Sequence, residues 1–90
     1  IIPYQTIDEA IDRINASPYG LQCGIFTRST EIAFRIIREI RTGGIIVNGS
    51  STWRTDQLPY GGVKASGIGR EGPRYAIEDL TEQRLVVFNL

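Results

Sequence analysis

Cys23-Gly24-Ile25-Phe26-Thr27, then Ala33, Ile36, Ile37 and Ile40, then Gly43-Gly44-Ile45-Ile46-Val47: this stretch decides the fold. The first block reads as a buried strand. The second places apolar residues at helical spacing, one face of a 3.6-residue repeat. The third is a β-branched run of the kind that fills a buried parallel strand. Ser29 is placed to cap the helix, and Gly43-Gly44 to end it by supplying positive φ. Glu31 and Arg35 stand four apart, the spacing of a helix-surface ion pair. Arg35, Arg38 and Arg41 lie toward the C-terminal end, where cations suit the helix dipole.

Working outward, the same alternation continues toward the N-terminus. Ile1–Tyr4 is a short apolar stretch expected to end a strand. Thr6-Ile7-Asp8-Glu9 is a capping box, in which the Thr hydroxyl serves the third amide and Glu9 reaches back to the cap amide. Ile7, Ala10, Ile11 and Ile14 give the helix its apolar stripe, and Pro18 stops it. Strand, helix, strand, helix, strand in about 47 residues predicts an α/β architecture of mostly parallel strands with flanking helices.

Toward the C-terminus the character changes. Residues 48–72 hold six of the ten glycines and no clear period. Irregular stretches of that length are usually functional. Pro73 fits the first turn of a third helix whose apolar face is Ala76, Ile77 and Leu80. Arg84 to Leu90 carries a strong strand signal, and such a strand needs a partner.

Composition narrows the function. The chain has 90 residues, 41% hydrophobic, with ten basic and ten acidic side chains. At roughly 100–200 residues per domain this is one domain at most. Zero net charge argues against a nucleic-acid partner. No apolar run approaches the roughly 18–20 residues that span a bilayer. One cysteine cannot close an internal disulfide, and with no histidine no metal site is expected. The absence of methionine marks a processed product, an excised piece or a chain that has lost a signal. There is no other sign of secretion, and a cytoplasmic location is expected.

Several residues invite a chemical reading. Gly67-Ile68-Gly69-Arg70-Glu71-Gly72 matches G-x-G-x-x-G, yet no strand precedes it and Glu71 would set a carboxylate beside a phosphate, so a structural turn is favoured. Cys23 lacks a histidine to activate it and is read as a core cysteine. Asp56 and Glu71, the acids of the loop, are given surface or helix-start roles. Asn15-Ala16-Ser17 and Asn48-Gly49-Ser50 match the glycosylation sequon without a supporting context. Trp53, Arg54 and Tyr60 are the residue types that line pockets, where aromatic faces enclose a substrate and Arg pairs an anion. They equally fit simple anchors of the loop.

The loop as a whole carries a resemblance. Leu58-Pro59-Tyr60-Gly61-Gly62-Val63-Lys64-Ala65-Ser66-Gly67-Ile68-Gly69-Arg70-Glu71-Gly72 resembles, without gaps, the P-[FY]-G-G-x-K-x-S-G-x-G-R-E signature of the NAD(P)-dependent aldehyde dehydrogenases. Pro18-Tyr19-Gly20-Leu21 with Gly24-Ile25-Phe26-Thr27-Arg28 is similar to that family's N-x-x-x-Y-G-L-x-x-G-[VI]-[FY]-[ST] segment. Gly44-Ile45-Ile46-Val47-Asn48 is similar to its G-x-x-x-[VI]-N strand, and Thr81-Glu82 also fits.

The resemblance spans nearly all of the chain but only about the last fifth of a typical family member. It implies residues 1–82 as the C-terminal part of the catalytic domain, with a substrate loop at 48–72, and 83–90 as an oligomerisation strand. The implied reaction oxidises an aldehyde to a carboxylic acid with NAD or NADP. The nucleophilic Cys, the general-base Glu and the cofactor site are all expected upstream, so the segment alone is expected to be inactive and to bind no cofactor. Tyr60 takes the position that lines the aldehyde tunnel, with Trp53 and Arg54 in the variable loop before it. An anionic aldehyde would suit Arg54. Arg70 and Glu82 are expected to pair near a subunit interface that includes Leu85 and Val87. The implied partners are the aldehyde, the remainder of the same enzyme and further copies in a homo-oligomer. The alternative is a truncated paralogue acting as a non-catalytic assembly or binding module. Alone, a segment this short is expected to be marginal or oligomeric.

Overall fold

The computed structural model describes residues 1–90. Three helices, α1 (Ile7–Ala16), α2 (Thr30–Glu39) and α3 (Pro73–Leu80), accompany four short strands, β1 (Tyr19–Gly20), β2 (Gln22–Ile25), β3 (Gly44–Val47) and β4 (Val63–Lys64). β2 and β3 pair in parallel, Cys23 opposite Ile45 and Ile25 opposite Val47, with α2 as the crossover between them. β1 and β4 pair antiparallel, Gly20 opposite Val63. The architecture is therefore an α/β segment with two small two-stranded sheets, one parallel and one not.

The caps act much as their sequence implies. Thr6 Oγ1 accepts from the Glu9 amide at 3.2 Å, and Ser29 Oγ accepts from the Ile32 amide at 3.2 Å. Glu9 reaches one residue further back than the capping-box pattern, accepting from the Gln5 amide at 2.9 Å. Ser17 is extended, as Pro18 requires of its predecessor. Ile11, Ile36 and Ile40 form the buried centre, with Ile7, Ile14, Cys23, Ile25, Ile32 and Ile45 packed on them. This small core fastens both helices to the parallel pair. Asn15 adds a polar link, donating to the Glu39 carbonyl and accepting from the Arg41 amide, each at 2.8 Å.

Some expectations are corrected. Ile1–Tyr4 forms no strand. Arg35 pairs with Glu39, one turn further along, and across to Asp8 on α1, not with Glu31. Two carboxylates from different directions outweigh one behind it, and the hydrogen bonds to Glu39 and then Asp8 raise the Arg35 pKa further above its ordinary value. Gly43 and Gly44 do not supply positive φ, since α2 already ends at Glu39 with Ile40 extended. Gly43 is needed for space. A Cβ on Gly43 would overlap the carbonyl oxygen of Gly61.

The tail departs most from its pattern. Residues 81–90 form no ladder, and Leu85, Val86, Val87, Phe88 and Leu90 are exposed. β-branched side chains favour a strand, but a strand forms only against another edge, and residues 81–90 lie along none. Ile77 and Leu80 of α3 are exposed as well. The tail stretches the molecule to 68 × 27 × 20 Å and a radius of gyration of 17.6 Å, against about 12 Å for a compact chain of this length. Arg70 and Glu82 form no ion pair. The Arg70 guanidinium instead donates to the carbonyls of Gly62 at 3.1 Å and Gly69 at 2.7 Å.

Candidate functional site

β3 ends at Val47, and Asn48 turns the chain in the left-handed region at φ 57°. Its amide donates to Ile25 O at 2.6 Å and its Oδ1 accepts from Thr27 N at 2.9 Å, fixing the loop's start to the end of β2. Ser50 and Thr52 then build a tight turn, and Trp53 N donates back to Ser50 O at 3.1 Å. Gln22 Nε2 donates to the Trp53 carbonyl at 2.7 Å. The loop is thus pinned at both ends of its first turn.

The second half closes on itself. Tyr60 and Glu71 form an antiparallel bridge, with amide-to-carbonyl bonds of 3.1 and 2.6 Å in the two directions. Gly67, Gly69 and Gly72 occupy φ of 134°, 75° and 120°, which L side chains rarely adopt, and so allow the reversal that brings Glu71 back to Tyr60. Lys64 fastens this reversal to α1. Its ammonium donates to Asn15 O and Ser17 O at 3.1 Å and Tyr19 O at 3.5 Å.

Trp53, Arg54 and Tyr60 meet at a cleft of about 100 Å³, floored by Ile45 and Ile46 and rimmed by Leu58. The Arg54 guanidinium carbon lies 4.4 Å from the Tyr60 ring centre, a cation–π stack. Arg54 Nη2 also bonds Glu71 Oε2 at 3.1 Å. The structure sets Trp53, Arg54 and Tyr60 around one cleft, and it adds Gln22 and, through Arg54, Glu71, which the sequence reading does not place there. The signal for Glu71 is the cluster of glycines on either side of β4, which marks a chain reversal. Asp56 is exposed and makes no hydrogen bond or ion pair.

Other sequence candidates settle into structural roles. Cys23 is partly buried, and desolvation pushes its thiol pKa up, away from a reactive thiolate. Both Asn15 amide atoms are engaged at the end of α2. No three His, Cys, Asp or Glu side chains gather to hold a metal ion. No helix is long and apolar enough to cross a membrane.

The Gly67–Gly72 stretch does not suit a dinucleotide. The Arg70 guanidinium fills its inner side, a Cβ on Gly61 would approach Gly69 O to 2.6 Å, and the Glu71 carboxylate flanks it. A pyrophosphate would meet negative charge there.

The model of the aldehyde dehydrogenase family matches residues 1–86. The chain is 54% identical over 90 residues to a 3-sulfolactaldehyde dehydrogenase of Priestia megaterium, covering 100% of this chain and 19% of that protein. It is 45% identical over 92 residues to a lactaldehyde dehydrogenase of Methanococcus maripaludis, covering 99% of this chain and 20% of that protein. Among solved structures, aldehyde dehydrogenase 21 of Physcomitrella patens, in complex with the reaction product succinate, superposes with a TM-score of 0.85 at 46% identity, over 88% of this chain and 16% of that one. A glyceraldehyde-3-phosphate dehydrogenase of Methanocaldococcus jannaschii, complexed with NADP, gives 0.80 at 41% identity, over 83% and 16%. The chain spans about a fifth of the length of the curated relatives it matches. With the cleft-bearing loop inside the matched residues, the chain belongs to the aldehyde dehydrogenase family.

Proposed function

We propose that this segment forms the substrate entrance of an NAD(P)-dependent aldehyde dehydrogenase whose aldehyde carries an anionic group. The observation that carries the reading is the Arg54 guanidinium, stacked on Tyr60 at the cleft that Trp53 lines. Tyr60 and Trp53 present aromatic faces to the carbon chain. Arg54 offers a planar set of N–H donors to a carboxylate, sulfonate or phosphate. These residues bind and orient. The nucleophile, the base and the cofactor site belong to the rest of the enzyme.

The relatives support this choice of substrate. A sulfonate is named for the Priestia enzyme, a dicarboxylate product for the Physcomitrella structure and a phosphate for the Methanocaldococcus enzyme. In the intact enzyme, Arg54→Ala should lower kcat/KM for succinic semialdehyde about tenfold to a hundredfold, the worth of a charge-assisted hydrogen bond. Propanal should change little. Equal losses for the two aldehydes overturn the reading.

The same proposal covers the tail. Residues 1–82 complete the catalytic domain near its C-terminal end, and residues 83–90 join subunits through Leu85 and Val87, with Arg70 and Glu82 close to that contact, in a cytoplasmic homo-oligomer. The exposed apolar run supports this role. Sedimentation of the intact enzyme with and without residues 83–90 tests it, and an unchanged assembly size refutes it.

A further inference from the structure

We infer that Gln22 is a positioning residue for the aldehyde cleft, acting through Trp53 and touching no substrate itself. This rests on the reading of Trp53 as a wall of that cleft.

Gln22 opens β2, and its partner in the parallel register is Gly44, which opens β3. The first atoms that a Cβ on Gly44 would meet are all from Gln22, Cγ at 3.3 Å, Cδ at 3.6 Å and Nε2 at 3.8 Å. The glutamine side chain therefore lies across the strand at a point where the neighbouring residue has no side chain. From that seat its Nε2 reaches the Trp53 carbonyl at 2.7 Å. A carbonyl oxygen only accepts, so the amide turns its NH2 end toward the loop. The contact spans 31 positions of sequence and joins the regular sheet to the irregular loop.

The bond completes the fixing of one residue. The Trp53 amide already donates to Ser50 O at 3.1 Å. With the carbonyl held as well, both backbone polar groups of Trp53 are engaged, and the direction in which its Cα projects the indole is set. Gln22, Trp53, Ile45 and Ile46 line the same cleft. The β2–β3 pair thus carries the floor of the cleft and also aligns its wall. Each of these contacts is made within the chain, and none depends on a surface being bare. A wall held in place before the substrate arrives binds it without the cost of ordering the loop.

The test uses the intact enzyme. Gln22→Met keeps the length of the side chain and loses the donor, and Gln22→Glu puts an oxygen where the donor was. Both should raise the KM for succinic semialdehyde about three- to tenfold, the scale of one neutral hydrogen bond, with kcat and the cofactor KM unchanged. Gln22→Lys, which keeps a donor, should restore most of the loss. In enzyme grown with 5-fluorotryptophan, the Trp53 fluorine resonance, identified by its absence from Trp53→Phe, should shift or broaden in Gln22→Met. In a Trp53→Ala background, Gln22→Met should change KM less than twofold. An unmoved Trp53 resonance, an undiminished effect without the indole, or a loss of kcat and cofactor affinity alongside KM overturns the inference. If Trp53→Ala raises KM and Gln22→Met does not, the cleft stands and the role of Gln22 fails. If Trp53→Ala leaves KM unchanged, the reading of the cleft fails and the role of Gln22 with it.

Discussion

The Lys64 ammonium lies 3.1 Å from the carbonyl oxygen of Ser17, 47 positions earlier in the chain. With the bonds to Asn15 O and Tyr19 O, it closes the C-terminal end of α1, where the helix dipole is negative and carbonyls lack partners. Lys64 does this from a left-handed backbone position at φ 56°. Lys64→Met should destabilise the intact enzyme by about 1–3 kcal/mol, since three carbonyls lose a charged donor at once. Thermal unfolding checks this, and an unchanged midpoint would count against the tie.

Asn15 joins the ends of two helices through both atoms of its amide. Asn15→Leu should cost about 1–2 kcal/mol. Asn15→Asp should not rescue it, because a carboxylate oxygen would then face the Glu39 carbonyl. Chemical denaturation of the two variants side by side decides the point.

Glycine is required at two positions for different reasons. Gly67 has nothing within 4 Å of a built Cβ but sits at φ 134°, so Gly67→Ala suffers backbone strain alone, about 1–2 kcal/mol. Gly43 has an ordinary φ but no room, with backbone of Gly61 in the way. Gly43→Ala should be the more damaging and should disturb the cleft as well as stability. Comparable losses in both variants would contradict the close approach.

Burial raises the Cys23 thiol pKa above its ordinary 9.0. Cys23 should therefore react slowly with iodoacetamide at pH 8 in the folded enzyme and quickly in denaturant, followed by mass spectrometry of its peptide. Because folding retains the proton, the stability it contributes is present below the unfolded pKa and fades as pH rises through the folded one. Cys23→Ala should flatten that part of the stability profile. Rapid labelling of the folded enzyme at pH 8 would contradict the burial.

The helices and the parallel pair were legible because their signals are local. Thr6 and Ser29 cap within three residues, and the isoleucine stripes repeat each turn. The long loop was legible as a loop, but its internal pairings were not. β1 and β4 have two residues each, too few for any period, and their match depends on the Lys64 tie. Arg54 and Glu71 are 17 positions apart across several glycines, and only the completed reversal makes them neighbours. Arg35 showed the same limit at shorter range. Glu31 and Glu39 stand four positions to either side of it and the sequence does not rank them, whereas Asp8 became available only when α1 packed on α2. At the tail the residues state a preference for extended structure, but a ladder requires another strand, and no residue from 81 to 90 can carry that information.

The exposed tail has a practical consequence for protease sensitivity. Trypsin binds extended, unpaired backbone, and Arg84 lies within such a stretch. Cleavage after Arg84 therefore measures how much of the time the tail is covered. Rapid loss of the last six residues marks a bare segment, and resistance under the same digestion marks one seated against a neighbouring edge.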